Sequence, residues 1–311
     1  MLSEKPKVSV IMSVYNDIGM LRDSIESILN QTYSNFEFLI ADDGSSTKEV
    51  ESIICSYDDP RVKFFKNENN LGLAKTLNNL IDISKGSLLA RMDSDDVALP
   101  RRLEVQVDYL DNNPNVDIVA GSTSCFPGPE RQWIIKDCDL DLKLNLIWGN
   151  AIPHPTVMMR RKKIIDNNLY YDANLKYAQD YDLWARCSLF LNFGSVEDVI
   201  LKYNIEGFNE RKKRVQAMVS REVQARLLRD KYGLNISRRA LSWLNGEPSS
   251  LLGFFEYLRL LAKLKQSLVA VSERKAFEAK VLHRVLWQTK KLPRHNKVMY
   301  KVAMSLFRKI S

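Results

Sequence analysis

The chain has 311 residues, of which 45% are hydrophobic, so the composition excludes a disordered or fibrous protein. The net charge of +8 is divided unevenly. Residues 1–207 carry 22 basic and 31 acidic side chains, whereas residues 208–311 carry 24 and 7. This asymmetry predicts a folded domain over residues 1–207, followed by a basic region over 208–311 that contacts an anionic partner.

The first 120 residues alternate β-rich apolar runs with helical patterns. Strands are predicted at residues 8–14, 36–41, 62–65, 87–92 and 116–120. Helices are predicted from Leu21 and at residues 48–57, 73–83 and 101–112. Strands that alternate with helices of about ten residues predict an α/β fold with a mostly parallel sheet covered on both faces.

The pattern is less regular after residue 120. Further elements are expected in this order: a helix at 140–148, an extended stretch at Pro153-His154-Pro155, a helix at 180–190 and a strand at 195–203. After residue 203 the chain is almost wholly helical and basic. The four cysteines show no C-x-x-C pairing, so we expect reduced thiols of a cytosolic protein. The N-terminal sequence lacks a signal-peptide pattern, and no apolar run reaches 18 residues, so neither a signal nor a spanning helix is expected.

Polar clusters follow three of the predicted strands. Tyr15-Asn16-Asp17 follows the first strand, Asp42-Asp43-Gly44-Ser45 the second and Asp93-Ser94-Asp95-Asp96 the fourth. In parallel sheets such ends share one edge, where ligands bind, and clustered carboxylates suit a hard divalent cation. Each cluster also has a structural interpretation, as a turn or helix cap. Neither a G-x-G-x-x-G nor a G-x-x-x-x-G-K-[ST] phosphate motif is present.

Five strings carry a resemblance to a known family: VSVIMSVYND, FLIADDGSS, NNLGLAKTLN, ARMDSDD and AQDYDLWAR. In this order and spacing they resemble the family 2 glycosyltransferases, which are inverting enzymes with a GT-A fold. The resemblance covers roughly residues 6–205. It implies a GT-A-type, mostly parallel sheet flanked by helices over 1–207, with the basic helical region appended.

The resemblance also implies which residues bind a nucleotide-sugar donor. Tyr15 stands where the family packs the nucleotide base, and Asp43 where a carboxylate binds the base or ribose. Gly72 and Lys75 lie in the segment that closes over the nucleotide. Asp93, the first residue of the D-x-D motif, is expected near the ribose.

Two further carboxylates are given chemical roles by the same resemblance. Asp95 matches the D-x-D residue that binds Mn²⁺ or Mg²⁺, and Asp180 matches the catalytic base. A bound cation would neutralise charge on the leaving diphosphate while Asp180 takes the proton of an acceptor hydroxyl. Asp180 and Asp182 also open a helical pattern, so either could be a helix cap instead.

The sequence departs from the family pattern at two places. Gln179 replaces the Glu that commonly precedes the base, and Tyr203-Asn204-Ile205-Glu206 lacks the Arg and His of the Y-R-x-H pattern. The second departure leaves the third metal ligand unassigned. The segment HPTVMMRRKK resembles the part of the family that lines the acceptor side, so His154 is a candidate contact to acceptor or donor sugar, or else a structural turn residue.

The basic region contains two amphipathic patterns, at 251–271 and 299–310. Such helices can lie on an anionic membrane, although packing against the body or a second subunit explains the same pattern. Nucleic-acid binding is a rival disfavoured by the acidic front and by the lack of a recognised module. A catalytically silent binding subunit is disfavoured by the intact set of carboxylates.

These inferences predict a metal-dependent inverting glycosyltransferase. Its donor is expected to be a nucleotide sugar, most simply a UDP-linked one, and its acceptor a lipid-linked or polysaccharide glycan. The predicted location is cytoplasmic and peripheral, on the inner face of the cell membrane, in surface glycan synthesis.

Overall fold

The computed structural model describes residues 5–128, 131–206, 210–247 and 250–290. Their contacts divide them into two compact units. The first unit runs to Leu142 and resumes at Asn150–Val219, and the second consists of Lys143–Gly149 with the described residues from Ser220 onward.

The first unit begins with a parallel half-sheet. Its strands are β1 (Val8–Val14), β2 (Phe36–Asp42), β3 (Val62–Lys66) and β4 (Leu88–Met92). They are joined in turn by helices α1 (Leu21–Leu29), α2 (Glu49–Cys55) and α3 (Leu73–Ile83). The strand order is β3-β2-β1-β4, and every pair is parallel.

The rest of the sheet is mixed in direction. Its elements in chain order are β5 (Val97–Ala98), α4 (Arg102–Asn112), β6 (Ile118–Phe126), β7 (Arg131–Trp133), α5 (Asp139–Asn145), β8 (Met158–Arg160), α6 (Arg161–Asp166), α7 (Gln179–Cys187) and β9 (Phe193–Asn204). The sheet continues from β4 through β8, β6 and β9 to β5, with β7 beside β6. Strand β8 runs antiparallel to both neighbours, whereas β6 and β9 are parallel.

Local sequence explains the regular part of this unit. Six of the seven residues of β1 are buried and all seven of β2, as expected for β-branched and aromatic runs in a sheet covered on both faces. In α1 the buried residues Leu21, Ile25 and Ile28 follow the predicted helical spacing. Their burial against the strands removes apolar surface from water and stabilises the packing of α1 on the sheet.

Three short strands and one turn were not predicted. Strands β5, β7 and β8 have two or three residues, too few to show an alternating pattern. The prediction of an extended stretch at Pro153-His154-Pro155 is wrong, because His154–Thr156 form one 3₁₀ turn. The turn closes when the backbone N–H and the hydroxyl of Thr156 both donate to the Pro153 carbonyl, at 3.1 and 2.8 Å.

The C-terminal part is helical, as predicted. It contains α8 (Glu210–Tyr232), α9 (Arg238–Leu244), α10 (Leu251–Ser267) and α11 (Val271–Lys290). In α10 the predicted apolar stripe is partly packed: Phe254 and Leu261 are buried, but Phe255 is exposed. The stripe predicted at 299–310 lies outside the described residues. Among the helices that the structure describes, none combines the length and apolar character needed to cross a bilayer.

Candidate active site

Hydrogen bonds connect the three polar loops at the carboxyl edge of the parallel half-sheet. After β1, the N–H of Asn16 donates to the hydroxyl of Ser45 at 2.9 Å, and the N–H of Ser46 donates back to Oδ1 of Asn16 at 2.8 Å. The hydroxyl of Ser94, in the loop after β4, donates to Asp17 at 3.0 Å. The expected meeting of these loops at one sheet edge is therefore observed.

An aromatic side chain and a basic one are open to solvent at this edge. Tyr15, the residue directly after β1, is 49% exposed. Lys75 is exposed in the first turn of α3. Gly72 precedes that helix with φ +87°, a left-handed conformation that glycine adopts without steric cost.

Asp43, after β2, is buried at 2% exposure and holds the loop that leads into α3. Its Oδ1 accepts hydrogen bonds from the Asn67 amide, the Leu71 N–H and the Thr76 hydroxyl at 2.8, 2.9 and 2.7 Å. Its Oδ2 accepts one from the N–H of Gly72 at 2.9 Å. The carboxylate thus fixes the loop that presents Gly72 and α3, and Oδ2 keeps one unused lone pair.

The loop after β4 forms an acidic cluster. Carboxylate oxygens of Asp93, Asp95 and Asp96 lie within 4.8 Å of one another. Burial, followed by the charges of Asp93 and Asp17, raises the pKa of Asp95 to about 6. A positive charge between these carboxylates would relieve that destabilisation.

Asp96 is a candidate metal ligand that the sequence interpretation did not assign. It is fully buried; Oδ1 accepts the N–H of Asn204 at 2.7 Å, and Oδ2 has no hydrogen-bond partner. An orphaned buried carboxylate oxygen beside two other carboxylates fits a hard divalent cation such as Mn²⁺ or Mg²⁺. The D-S-D-D string was the available signal, because its third carboxylate is adjacent to the predicted ligand. Asn204, in the stretch that lacks the family His, donates to Asp96 through its backbone N–H.

A buried arginine pair lies behind the acidic cluster. Arg91, in β4, is 1% exposed and forms an ion pair with Asp93. Arg102 is also buried and donates to the Arg91 carbonyl at 2.6 Å. Buried charges are tolerated only when they are compensated, so the ion pair fixes Asp93. The sequence interpretation missed Arg91, although a lone arginine in the apolar run LLARM was a signal for it.

Asp180 lies in the first turn of α7 and is not its capping residue. The helix begins at Gln179, and the N-cap position is held by Ala178 with φ +56°. Oδ2 of Asp180 accepts a hydrogen bond from the Asn150 amide at 2.6 Å. Burial raises the pKa of Asp180, and the nearby Arg91 guanidinium partly offsets this effect.

Asp182, the rival carboxylate, is engaged elsewhere. It is fully buried and forms an ion pair with Arg186 at 2.8 Å, one helical turn later. Arg186 also donates to the carbonyl of Tyr170 at 2.6 Å. Asp182 therefore stabilises the packing of α7, and the cap interpretation fails for both carboxylates.

His154 lies near the same arginine. Burial, followed by the charge of Arg91, keeps the pKa of the imidazole well below its ordinary value, so the ring is neutral. Its Nε2 is 2.8 Å from the hydroxyl oxygen of Tyr171, and its ring makes an edge contact with Trp184 of α7. Arg91 therefore lies within electrostatic range of Asp93, His154 and Asp180.

The sequence is similar to those of known glycosyltransferases. Residues 9–169 match the family model described as Glycosyl transferase family 2. The chain is 37% identical to the uncharacterized glycosyltransferase MJ1057 of Methanocaldococcus jannaschii over 65% of this chain and 72% of that protein. It is 34% identical to the O-antigen biosynthesis glycosyltransferase WbnJ of Escherichia coli, and the match covers 66% of this chain and 82% of that protein.

Two solved structures share the fold. The chain is similar to S. aureus TarS 1-349 in complex with UDP-GlcNAc, with a TM-score of 0.59 and 18% identity. The match covers 85% of this chain and 82% of the TarS chain. It is also similar to mannosyltransferase PcManGT from Pyrobaculum calidifontis in complex with GDP-Man and Mn²⁺, with a TM-score of 0.54 and 15% identity. This match covers 99% of this chain and 83% of the PcManGT chain. The predicted GT-A architecture is confirmed.

Proposed function

Because this chain belongs to glycosyl transferase family 2, and is therefore a glycosyltransferase, we propose that it transfers a sugar from a nucleotide donor to an acceptor hydroxyl with inversion. The observation that carries this proposal is the placement of Arg91. Arg91 forms an ion pair with Asp93, in the acidic cluster, and its charge partly offsets the rise that burial causes in the pKa of Asp180, at the start of α7. Such a site offers carboxylates for a donor and its cation together with a separate carboxylate for a proton.

The donor would bind along the edge formed by the loops after β1 and β2. The exposed face of Tyr15 offers a surface for a nucleotide base, and Asp43 offers one further acceptor position on Oδ2. Gly72 lets the backbone approach the nucleotide, and Lys75 offers a positive charge to its phosphates. Asp93, held by Arg91, would bind the ribose. A UDP-linked donor is the simplest choice, in line with the UDP-GlcNAc complex of TarS.

The acidic cluster would hold Mn²⁺ or Mg²⁺ through Asp95, with Asp93 and Asp96 as neighbouring carboxylates. When bound, this ion supplies a positive charge that stabilises the leaving diphosphate. The Mn²⁺ in the PcManGT complex supports the choice of a divalent cation. Chain residues prepare the site, because Arg91 and the backbone of Asn204 fix two of the three carboxylates.

Asp180 would act as the base on the acceptor side. The acceptor oxygen forms a bond to the anomeric carbon while the bond from that carbon to the diphosphate oxygen breaks. The hydroxyl proton passes to Asp180, and the nucleoside diphosphate leaves with the bonding electrons. Asn150 donates to Oδ2 of Asp180 and so orients the carboxylate that would accept the proton. Attack opposite the leaving group inverts the anomeric configuration.

We further propose a lipid-linked or polysaccharide acceptor at the cytoplasmic face of the cell membrane. The O-antigen biosynthesis role in the name of WbnJ supports this class of acceptor. One face of α10 combines Leu252 and Phe255, 54% and 44% exposed, with the exposed Arg259 and Lys263. Apolar and basic side chains on one helical face are suited to an anionic lipid surface.

The activity is tested with a panel of UDP- and GDP-sugars, by measuring nucleotide release with Mn²⁺, with Mg²⁺ and with EDTA. Turnover of one donor that EDTA abolishes is expected. Asp180→Asn should lower kcat by at least a hundredfold. Its matched control, Glu197→Gln, removes an exposed carboxylate paired with Lys136 and should retain activity. Full turnover in EDTA, or an active Asp180→Asn enzyme, would contradict the proposal.

Membrane association is tested by sedimentation with liposomes. Wild-type protein should sediment with phosphatidylglycerol vesicles at low salt and be released at high salt. Replacing Leu252 and Phe255 together by Ser should weaken sedimentation without changing turnover of a soluble acceptor. If the double variant sediments as well as the wild type, this face of α10 does not bind the membrane.

A further inference from the structure

The hydroxyl of Tyr171 has one partner among the described residues, Nε2 of His154, at 2.8 Å. Tyr171 is 3% exposed, and its backbone is fixed by Asn78 of α3. The Asn78 amide donates to the Tyr171 carbonyl at 2.9 Å, and the Tyr171 N–H donates to Oδ1 of Asn78 at 2.9 Å. Asn78 therefore holds both the N–H and the carbonyl of Tyr171, and this fixes the backbone from which the phenol extends.

This contact selects one tautomer of the imidazole. If Nε2 carried the proton and donated it, the buried O–H of Tyr171 would have no acceptor within the described part of the chain. A buried donor without an acceptor destabilises the folded state. If Tyr171 donates to Nε2 instead, both groups are satisfied and the ring proton lies on Nδ1.

The nearby charges favour the same neutral form. Arg91 is a permanent cation, and together with burial it opposes protonation of the ring. The half-buried ring has edge contacts to Tyr171 and Trp184, with centroid separations of 5.4 and 6.1 Å. Among the residues the structure describes, Nδ1 of His154 has no hydrogen-bond partner. A neutral N–H donor is thus left for a ligand.

We propose that Tyr171 is a positioning residue that holds His154 in the Nδ1–H tautomer, and that this N–H donates a hydrogen bond to a sugar hydroxyl in the active site. The proposal rests on the proposed function. A sugar oxygen suits a neutral donor, whereas the charged diphosphate would be bound by cations. The hydroxyl belongs either to the donor sugar or to the acceptor substrate. In both cases a hydroxyl oxygen accepts the hydrogen bond from His154.

The tautomer is measured in the full-length protein by ¹⁵N NMR with selectively labelled histidine. The chain has only three histidines, so the His154 signals are identified by their loss in His154→Asn. We expect a protonated Nδ1 and an unprotonated Nε2. Solvated imidazoles carry the proton mainly on Nε2, so this result is not expected by default. A protonated Nε2 in the wild type would overturn the proposal.

Tyr171→Phe tests the positioning role. Loss of the hydroxyl removes the donor to Nε2, so the ring should shift toward the Nε2–H tautomer while the circular dichroism spectrum is retained. A purely structural tyrosine would change the melting temperature and leave the tautomer as it is. An unchanged Nδ1–H signal in Tyr171→Phe would therefore overturn the positioning role.

The ligand contact is tested by calorimetry with the donor that turns over in the panel and with its nucleoside diphosphate alone. His154→Ala should weaken binding of the nucleotide sugar about tenfold, equivalent to about 1.4 kcal/mol, with less than a twofold change for the nucleotide. His154→Asn keeps an N–H near the Nδ1 position and should recover most of the affinity. If the contact is to the acceptor, donor affinity is unchanged and the acceptor KM rises about tenfold.

Unchanged donor affinity together with an unchanged acceptor KM in His154→Ala would overturn the sugar contact. If no donor turns over, the proposed function fails and the sugar contact fails with it. The NMR measurement needs no substrate, so it separates that failure from a wrong tautomer.

Discussion

Asp43 offers a quantitative test of how the loop that leads into α3 is held. Replacing Asp43 with Asn keeps the volume and one carbonyl oxygen, which can retain the three bonds made by Oδ1. The new amide group then faces the N–H of Gly72, so a donor replaces the acceptor that this N–H had. Loss of one hydrogen bond to a charged group costs about 2 kcal/mol.

This cost should appear as local opening of the loop. Because 1.4 kcal/mol corresponds to a tenfold change, the Gly72 amide should exchange with solvent deuterium about 30-fold faster in Asp43→Asn than in the wild type. Thr76→Val removes a neutral donor and should accelerate exchange less. Asp58→Asn, at an exposed carboxylate, should leave exchange unchanged. Equal protection of Gly72 in Asp43→Asn and wild type would refute this account of the loop.

Three further predictions concern the charged groups of the site. Asp95→Asn should lower Mn²⁺ affinity at least tenfold in an electron paramagnetic resonance titration without substrate; unchanged affinity would exclude Asp95 as a ligand. Burial raises the pKa of Asp180, and only the ionised carboxylate accepts a proton. The value of kcat/KM should therefore fall with decreasing pH, with an apparent pKa above that of an exposed aspartate. An acid limb of the pH profile at the pKa of an exposed aspartate would argue against Asp180 as the base. Arg91→Met removes the buried partner of Asp93 and should cost about 3–5 kcal/mol of stability in thermal melts, whereas the exposed Arg101→Met control should leave the melting temperature nearly unchanged.

The regular half of the fold could be predicted because its sequence signals are local. The predicted bounds of β1 and α3 agree with the structure, since one is an uninterrupted β-branched run and the other has apolar residues at helical spacing. Parallel topology then places the loops after β1, β2 and β4 at one edge. This is why the meeting of the Asn16, Asp43 and Asp93 loops could be anticipated before any side-chain contact was known.

The contacts that give these residues their roles could not be read in the same way. Asp43 accepts bonds from residues 24 to 33 positions away, and Asp96 accepts one from Asn204, 108 positions away. Such pairs depend on how the loops fold back, which has no periodic signature. The turn at His154 was missed because two prolines suit both an extended stretch and a tight turn.

The pair of hydrogen bonds between Asn78 and the Tyr171 backbone has a consequence for exchanging segments between related glycosyltransferases. Moving only residues 150–178 of this chain into a relative would separate Tyr171 from the α3 residue that holds its backbone. Such a chimaera keeps the geometry of the segment only if the relative's residue at the position of Asn78 can both donate to and accept from the incoming peptide, as an asparagine or glutamine side chain can. The minimal exchangeable module of this enzyme is therefore discontinuous, consisting of the 150–178 segment and one position in α3.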